Sequence, residues 1–308
     1  MITVQSISNY DKVHSTAITI GTFDGVHVGH RKILERLINN AKVLGLKSTV
    51  LTFFPHPRMV LQQDTSIQLL NTMEEKMVIM KSLELDYLII HPFTKEFSRL
   101  SATEFVRDIL VNELKVKKII IGYDHRFGRN RNANINDLFV FGREMDFQVE
   151  EISAQEIDDV SVSSTKIRKA LEEGDVRTAN NYLGYRYMLT GTVVKGRGLG
   201  RKLDFPTANL SIAEEYKLIP KNGVYVVSSV IDDKTVYGMM NIGVNPTVSG
   251  TKRTIEINFF DFDQDLYGKK IQIDIMDRLR DEYKFNSLEA LKVQLRKDRI
   301  TSLSLIPK

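Results

Sequence analysis

The 308-residue chain contains no cysteine. That excludes disulfides, thiolate metal sites and cysteine nucleophiles, and it suits a reducing compartment. Long hydrophobic runs are also missing. No apolar stretch approaches the ~20 residues that span a bilayer, and a run such as Lys118–Gly122 has only strand length. A transporter or efflux reading is therefore not expected. Met1–Ser6 shows no basic start followed by an apolar core, so no signal peptide is expected, and the cytoplasm is the expected location. A large excess of charge of one sign is missing as well: 43 Lys and Arg against 39 Asp and Glu leave a net +4. No dense basic tract is interleaved with aromatics, so small anions are expected as partners and nucleic acid and membrane are not. Internal repeats, low-complexity stretches and long linkers are absent. With 42% hydrophobic and 27% charged residues, what remains is an ordinary globular balance, long enough for two domains.

The most informative stretch is Gly21-Thr22-Phe23-Asp24-Gly25-Val26-His27-Val28-Gly29-His30. It follows the apolar run Thr16–Ile20, which reads as a buried strand. It precedes Arg31–Leu44, where Ile33, Leu34, Leu37, Ile38 and Val43 recur at helical spacing. A glycine-rich turn thus joins a strand to a helix. A helix N-terminus carries unpaired N–H groups and the positive end of its dipole, so it attracts phosphate. Glycine lets backbone come close to a ligand. His27 and His30, three apart, would share one face of the first turn. This H-x-G-H pattern resembles that of the nucleotidyltransferase superfamily. The resemblance implies attack of a substrate phosphate on the α-phosphorus of a nucleoside triphosphate, with the histidines stabilising charge and no protein nucleophile.

Strand and helix signals alternate through the first half. Strands are expected at Thr16–Ile20, Ser48–Phe53, Tyr87–Ile90 and Lys118–Ile121, and a helix start at Asn71–Glu75. Ser101-Ala102-Thr103-Glu104 forms a capping box before the amphipathic Phe105–Leu114. The apolar runs lack period-2 alternation, as expected when helices cover both faces of a sheet. This predicts an α/β doubly wound domain, whose ligands bind beyond the carboxyl ends of the strands. After Tyr185 the texture changes to short strands punctuated by turns: Met188–Val194, Gly223–Val230, Val236–Ile242, Ile255–Phe260 and Lys270–Ile275. An antiparallel β-barrel is expected there, followed by an amphipathic helix over Ser287–Arg299 with Leu288, Leu291, Val293 and Leu295 apolar. The boundary is placed at 184/185, giving domains 1–184 and 185–308.

Further strings could carry chemistry. Thr52–Arg58 ends a strand in a double-proline turn containing Pro55 and Pro57. Gly122–Gly128 sets Asp124, Arg126 and an aromatic beside glycines. Val162–Arg168 offers Ser164, Thr165 and Arg168 at a probable helix start, a phosphate-friendly arrangement. In the second half, Gly196-Arg197-Gly198-Leu199-Gly200-Arg201 leads into Pro206-Thr207-Ala208-Asn209. Glycines and arginines suit a phosphate chain, and the oxygens of Thr207 and Asn209 are hard ligands suited to Mg²⁺. Thr254–Asn258 contains the carboxylate Glu256, and Arg278–Phe285 follows. Taken singly, each string is more often a turn, a cap or a solvated strand. Their common order is what is informative.

In that order the whole chain resembles the prokaryotic bifunctional riboflavin kinase/FMN adenylyltransferase family, the FAD synthetases. The resemblance implies a Rossmann-like nucleotidyltransferase domain and a riboflavin kinase barrel. In the first, Gly21, Phe23, Asp24, Gly25 and Gly29 would line the ATP site, and His27 and His30 would stabilise the ATP phosphates. Asp124, Ser164, Thr165 and Arg168 would help hold the adenylyl donor, and Pro55 and Pro57 would lie near the flavin. In the second, Gly196, Arg197, Arg201, Thr207 and Asn209 would bind ATP, with Thr207 and Asn209 also ligating Mg²⁺. Glu256 would be the general base for the ribityl hydroxyl, and Arg280 and Phe285 would close over the flavin. Riboflavin, FMN, FAD, ATP, ADP and pyrophosphate are the implied small-molecule partners.

Three positions depart from the family pattern: Asp204 where glycine is frequent, Asn258 where histidine is frequent, and His125 where a large aromatic is usual. A carboxylate at 204 would either weaken ATP binding by repelling phosphate or simply point to water. Two alternatives therefore stand beside the bifunctional enzyme: an adenylyltransferase with a weak kinase half, and a non-catalytic flavin- or nucleotide-binding regulator.

Overall fold

The computed structural model describes residues 1–62, 66–123, 125–153, 162–196, 198, 200, 203–247 and 250–307, with 245–247 and 250–252 described by backbone alone. The chain divides into two compact units, one of residues 1–69 and 73–163, the other of 70–72 and 164–308.

The first unit is built on a six-stranded sheet, β1 (Ile2–Val4), β2 (Thr16–Ile20), β3 (Lys47–Phe53), β4 (Tyr87–His91), β5 (Val116–Gly122) and β6 (Gln148–Ile152), in the order β1-β4-β3-β2-β5-β6. Every pairing is parallel. All five residues of β2 are buried, so its sequence holds only apolar residues and threonines, with no charge on either face. The strand order reverses direction between β2 and β5, and the turn after β2 opens at that crevice. Helix α1 (Val28–Leu44) packs on β2, β3 and β5. It starts three residues earlier than its apolar periodicity implies, because the N-cap is His27. Three further helices follow: α2 (Pro57–Leu61), α3 (Met73–Lys81) and α4 (Ala102–Glu104). The expected capping box opens α4: Ser101 Oγ accepts from Glu104 N–H, and the Glu104 carboxylate accepts from Ser101 N–H. The run then continues as a π-helix over Phe105–Glu113, so that Leu114 N–H reaches back five residues to Ile109 O at 2.9 Å. Helix α5 (Ile135–Glu144) packs on β6.

The second unit begins with α6 (Ser164–Glu173) and α7 (Val176–Leu183). A closed antiparallel barrel follows: β7 (Tyr187–Val194), β8 (Ala208–Ser211), β9 (Gly223–Ile231), β10 (Lys234–Thr247), β11 (Gly250–Phe259) and β12 (Lys270–Arg280), in the order β10-β11-β8-β7-β12-β9. Closure removes the unpaired strand edges that an open sheet would expose. Helix α8 (Leu288–Leu305), capped by Ser287, lies against β10 and β12. Leu291 and Leu295 join the cluster of Leu203, Phe205, Val224, Met239 and Phe260. Farther along the same face the buried residues are polar, Asp298 and Ser302. Val293, expected on the apolar face, is 51% exposed. The inward stripe runs 291, 295, 298, 302, one helical face that polarity alone does not mark.

Candidate active sites

The turn after β2 is held by its own side chains. His27 Nδ1 accepts the His30 backbone N–H at 3.3 Å, which places the proton of a neutral His27 ring on Nε2. The two imidazoles stack, with centroids 3.6 Å apart and planes at 16°. Phe23, buried, meets His30 edge-on at 5.1 Å. Asp24 is buried and Gly29 lies in the first turn of α1. Gly25 has φ +86° and Phe23 φ +45°. Val26 has φ +38°, a left-handed conformation that a β-branched residue adopts only under strain. The turn is therefore a shape the surrounding fold imposes.

Burial pushes the His27 pKa down to about 4, with Asp24 opposing it. Burial, then His27 and Lys76, push His30 well below the ordinary histidine value. Near neutral pH both rings are uncharged, and they act as hydrogen-bonding groups. His30 Nδ1 is buried with no hydrogen-bond partner among the described residues.

Lys76 is a neighbour the motifs do not announce. Its side chain reaches from α3 and donates to Thr22 O at 2.6 Å, a carbonyl that Thr52 Oγ1 also approaches at 3.3 Å. Lys76 is 5% exposed. The signal was present in the sequence: Lys76, Ile79 and Met80 fall at i, i+3 and i+4 of α3 and are all buried, so a lysine occupies the apolar face.

At the same carboxyl end of the sheet, β3 runs into the proline turn. Pro55 follows a cis peptide bond, and Pro57 opens α2 behind the N-cap His56. Phe53, Phe93 and Phe97 form a ring cluster with centroids 5.5–5.9 Å apart, and His91 sits 4.6 Å from Phe97. Ser164, Thr165 and Arg168 lie on the first turns of α6, in the second unit. Asp124 lies outside the described residues.

The second unit holds a half-open cavity of about 570 Å³. Thr207, Glu256, Arg280 and Phe285 all line it, together with Asn241 and Asn258. Strand register explains the grouping. Glu256 on β11 pairs with Asn209 on β8 and with Asn241 on β10, and directly paired residues share a face of the sheet. A carboxylate thus sits between two amides in one row. Among the described residues no hydrogen bond or ion pair engages the Glu256 carboxylate. Two glycines have no room for a side chain: a Cβ at Gly196 would collide with the Asn209 amide, and one at Gly200 with the Phe205 carbonyl. Arg197 and Arg201 lie outside the described residues.

Two of the three departures from the family pattern, Asp204 and Asn258, have structural roles. Asp204 has φ +62°, a conformation that glycine and aspartate tolerate better than most residues. Its carboxylate is paired with Lys292 of α8, which holds its pKa below the ordinary value. Its charge is therefore offset locally. Asn258 Nδ2 donates to Pro206 O at 2.7 Å, fastening the turn before Thr207. Arg280 lines the cavity, but its guanidinium is held by Asp298 of α8 and by the Asp281 carbonyl. Asp298 and Asn241 carry no local sequence signal, because their partners are non-local.

The FAD synthetase family matches residues 10–166 and the riboflavin kinase family matches residues 183–305. A bifunctional riboflavin kinase/FMN adenylyltransferase of Buchnera aphidicola subsp. Schizaphis graminum is 37% identical over 300 residues, covering 96% of each chain. One from Escherichia coli K12 is 35% identical over 286 residues, covering 92% of this chain and 91% of its own. A crystal structure described as a macrolide-efflux protein from Streptococcus pneumoniae superposes with a TM-score of 0.89 at 29% identity, covering 98% of both chains. That description concerns the other protein. Among the described residues of this chain no helix is long and apolar enough to cross a membrane.

Proposed function

The chain belongs to the family of bifunctional riboflavin kinase/FMN adenylyltransferases, and we propose how its two sites divide that chemistry. Residues 185–308 phosphorylate riboflavin with ATP, giving FMN and ADP. Residues 1–184 transfer an adenylyl group from a second ATP to FMN, giving FAD and pyrophosphate. The observation that carries the division is a contrast. One unit holds a neutral histidine pair at a helix N-terminus, and the other a carboxylate in a row of amides on a cavity wall.

The contrast matches what each reaction needs. A primary alcohol is a poor nucleophile near pH 7, so the kinase profits from a base. Glu256 takes the proton of the ribityl 5′-hydroxyl as its oxygen bonds to the γ-phosphorus and ADP leaves. FMN brings an ionised phosphate and needs no base. Its oxygen bonds to the α-phosphorus, the α–β bridge breaks, and pyrophosphate carries the electron pair away. His27, His30 and the N-terminus of α1 position the phosphates and stabilise the charge that develops. Gly21, Phe23, Asp24, Gly25 and Gly29 shape that turn. Asp124, Ser164, Thr165 and Arg168 contribute to the donor site, and Pro55 and Pro57 border the flavin.

Mg²⁺ suits the kinase site. The donors there are the hard oxygens of Thr207 and Asn209, set in a cradle with no room for a Cβ at Gly196 or Gly200. No cluster of three His, Cys, Asp or Glu suited to a metal occurs among the described residues, which fits an ion that arrives with its nucleotide. Bound there, Mg²⁺ would neutralise phosphate charge during transfer. Gly196, Arg197 and Arg201 attend the phosphates, and Phe285 covers the flavin over an Arg280 already fixed by Asp298. The expected setting is the cytoplasm, with neither nucleic acid nor membrane as partner.

The test is chromatography of flavins after incubating the protein with riboflavin, ATP and Mg²⁺, with a parallel reaction begun from FMN. FMN and FAD from riboflavin are expected. FAD from FMN alone would mean an impaired kinase half, and no product with binding intact would mean a regulator.

A further inference from the structure

Lys76 is a buried cation that none of the roles above requires. An ammonium group has three N–H donors. Among the described residues the Lys76 side chain makes one hydrogen bond, to Thr22 O. Taking such a charge out of water costs several kcal/mol unless something nearby compensates for it. Asp24, on the same turn, is the acidic group that favours its charged form. His27 and His30 of α1 face this region as uncharged rings, and Glu75, the preceding residue of α3, is buried as well. The turn therefore presents a triphosphate with two neutral imidazoles, one of them with an unpartnered Nδ1, and a single lysine behind them.

We propose that Lys76 is a positioning and charge-supplying residue for adenylyl transfer. It grips the Thr22 carbonyl, so holding the strained turn from Phe23 to Val26, and it places a positive charge beside His30 where the phosphates of ATP accumulate negative charge. This rests on the reading that the turn binds those phosphates. The charge is also conditional: burial lowers the Lys76 pKa to about 8, with Asp24 opposing that shift. In the wild-type protein FAD formation should decline as pH rises past that value, because the ammonium loses its proton.

The experiment follows FAD formation from FMN and ATP across pH 6.5–9.5 in the full chain and in Lys76→Met, Lys76→Arg and His30→Ala. FMN formation from riboflavin by the same chains serves as an internal control. Lys76→Met should lower kcat by about 10²–10³-fold, more than it raises KM for ATP, and should show no decline near pH 8. Lys76→Arg, which stays charged, should recover much of kcat and shift the decline above pH 9. Purely structural support for the turn would leave the pH profile in place. FAD formation within threefold of wild type in Lys76→Met, or an unchanged decline in Lys76→Arg, would overturn the proposal. Should Lys76→Met fail to fold, the Lys76→Arg profile decides. Loss of FAD formation in His30→Ala with no effect in Lys76→Met sinks the lysine alone. Full FAD formation in His30→Ala sinks the reading beneath it.

Discussion

The guanidinium of Arg280 is forked onto the carboxylate of Asp298: Nε lies 3.0 and 3.1 Å from the two oxygens, and Nη2 donates to Oδ2 at 2.7 Å. Gln294 Nε2 adds a donor to Oδ1 at 2.8 Å. Side-chain exposure is 13% for the arginine and 4% for the aspartate. Removing one partner of a buried pair strands the other charge. Asp298→Ala should therefore destabilise the barrel unit by about 3–5 kcal/mol, read from denaturant unfolding. It should also raise KM for riboflavin, because Arg280 on the cavity wall loses its anchor.

His30→Ala should abolish FAD formation while FMN formation continues. An effect on both activities in a folded protein would contradict the assignment of this residue to one site.

Glu256→Gln should do the reverse. With riboflavin as substrate the rate should fall about 10²–10⁴-fold, the usual worth of a general base. FAD formation from supplied FMN should stay near wild type. The amide keeps the shape of the Asn209–Glu256–Asn241 row, so the change tests proton acceptance.

Asp204→Gly should change kinase kcat/KM by less than about threefold, since an exposed ion pair contributes little. A large gain in activity would restore the view that this carboxylate repels ATP.

Acid should destabilise the first unit as pH falls below the ordinary histidine range. The folded pKa of His27 lies at about 4, below the ordinary 6.5. The unfolded chain therefore binds the proton first as pH falls. Stability is fully present above pH 6.5 and is lost as pH drops toward 4, by about 3 kcal/mol from this residue alone. His30 shifts in the same direction. Thermal melts of wild type and His27→Gln between pH 7 and 4 should converge at the acid end.

The architecture was legible where burial writes itself into composition. β2, β3, β4 and β5 each carry a buried core of β-branched and apolar residues, and the sequence places each within two residues of its observed bounds. β6, with Glu150 and Glu151 on an edge, was not, and neither were the three-residue β1 and the four-residue β8. β8 exists through its pairing with β7 and β11, which no local pattern encodes. Among the site residues, His27 and His30 stand out because turn, cap and helix lie within ten residues. Thr207 and Glu256 stand out by type, but the row that includes Asn241 depends on register between distant strands. Asp298 reads as the polar side of a helix. Its partner is in β12, and only packing reveals that the polar side faces in.

Helix α8 gives the kinase cavity a timetable. It supplies Leu291 and Leu295 to the wall and Asp298 to Arg280, yet it follows every barrel strand in chain order. At ~5–20 residues per second of synthesis, the turn bearing His27 and His30 leaves the ribosome roughly ten seconds or more before the cavity can acquire its last wall. The turn of the first unit is therefore made long before the cavity of the second is complete, and synthesis of α8 supplies that cavity's last wall.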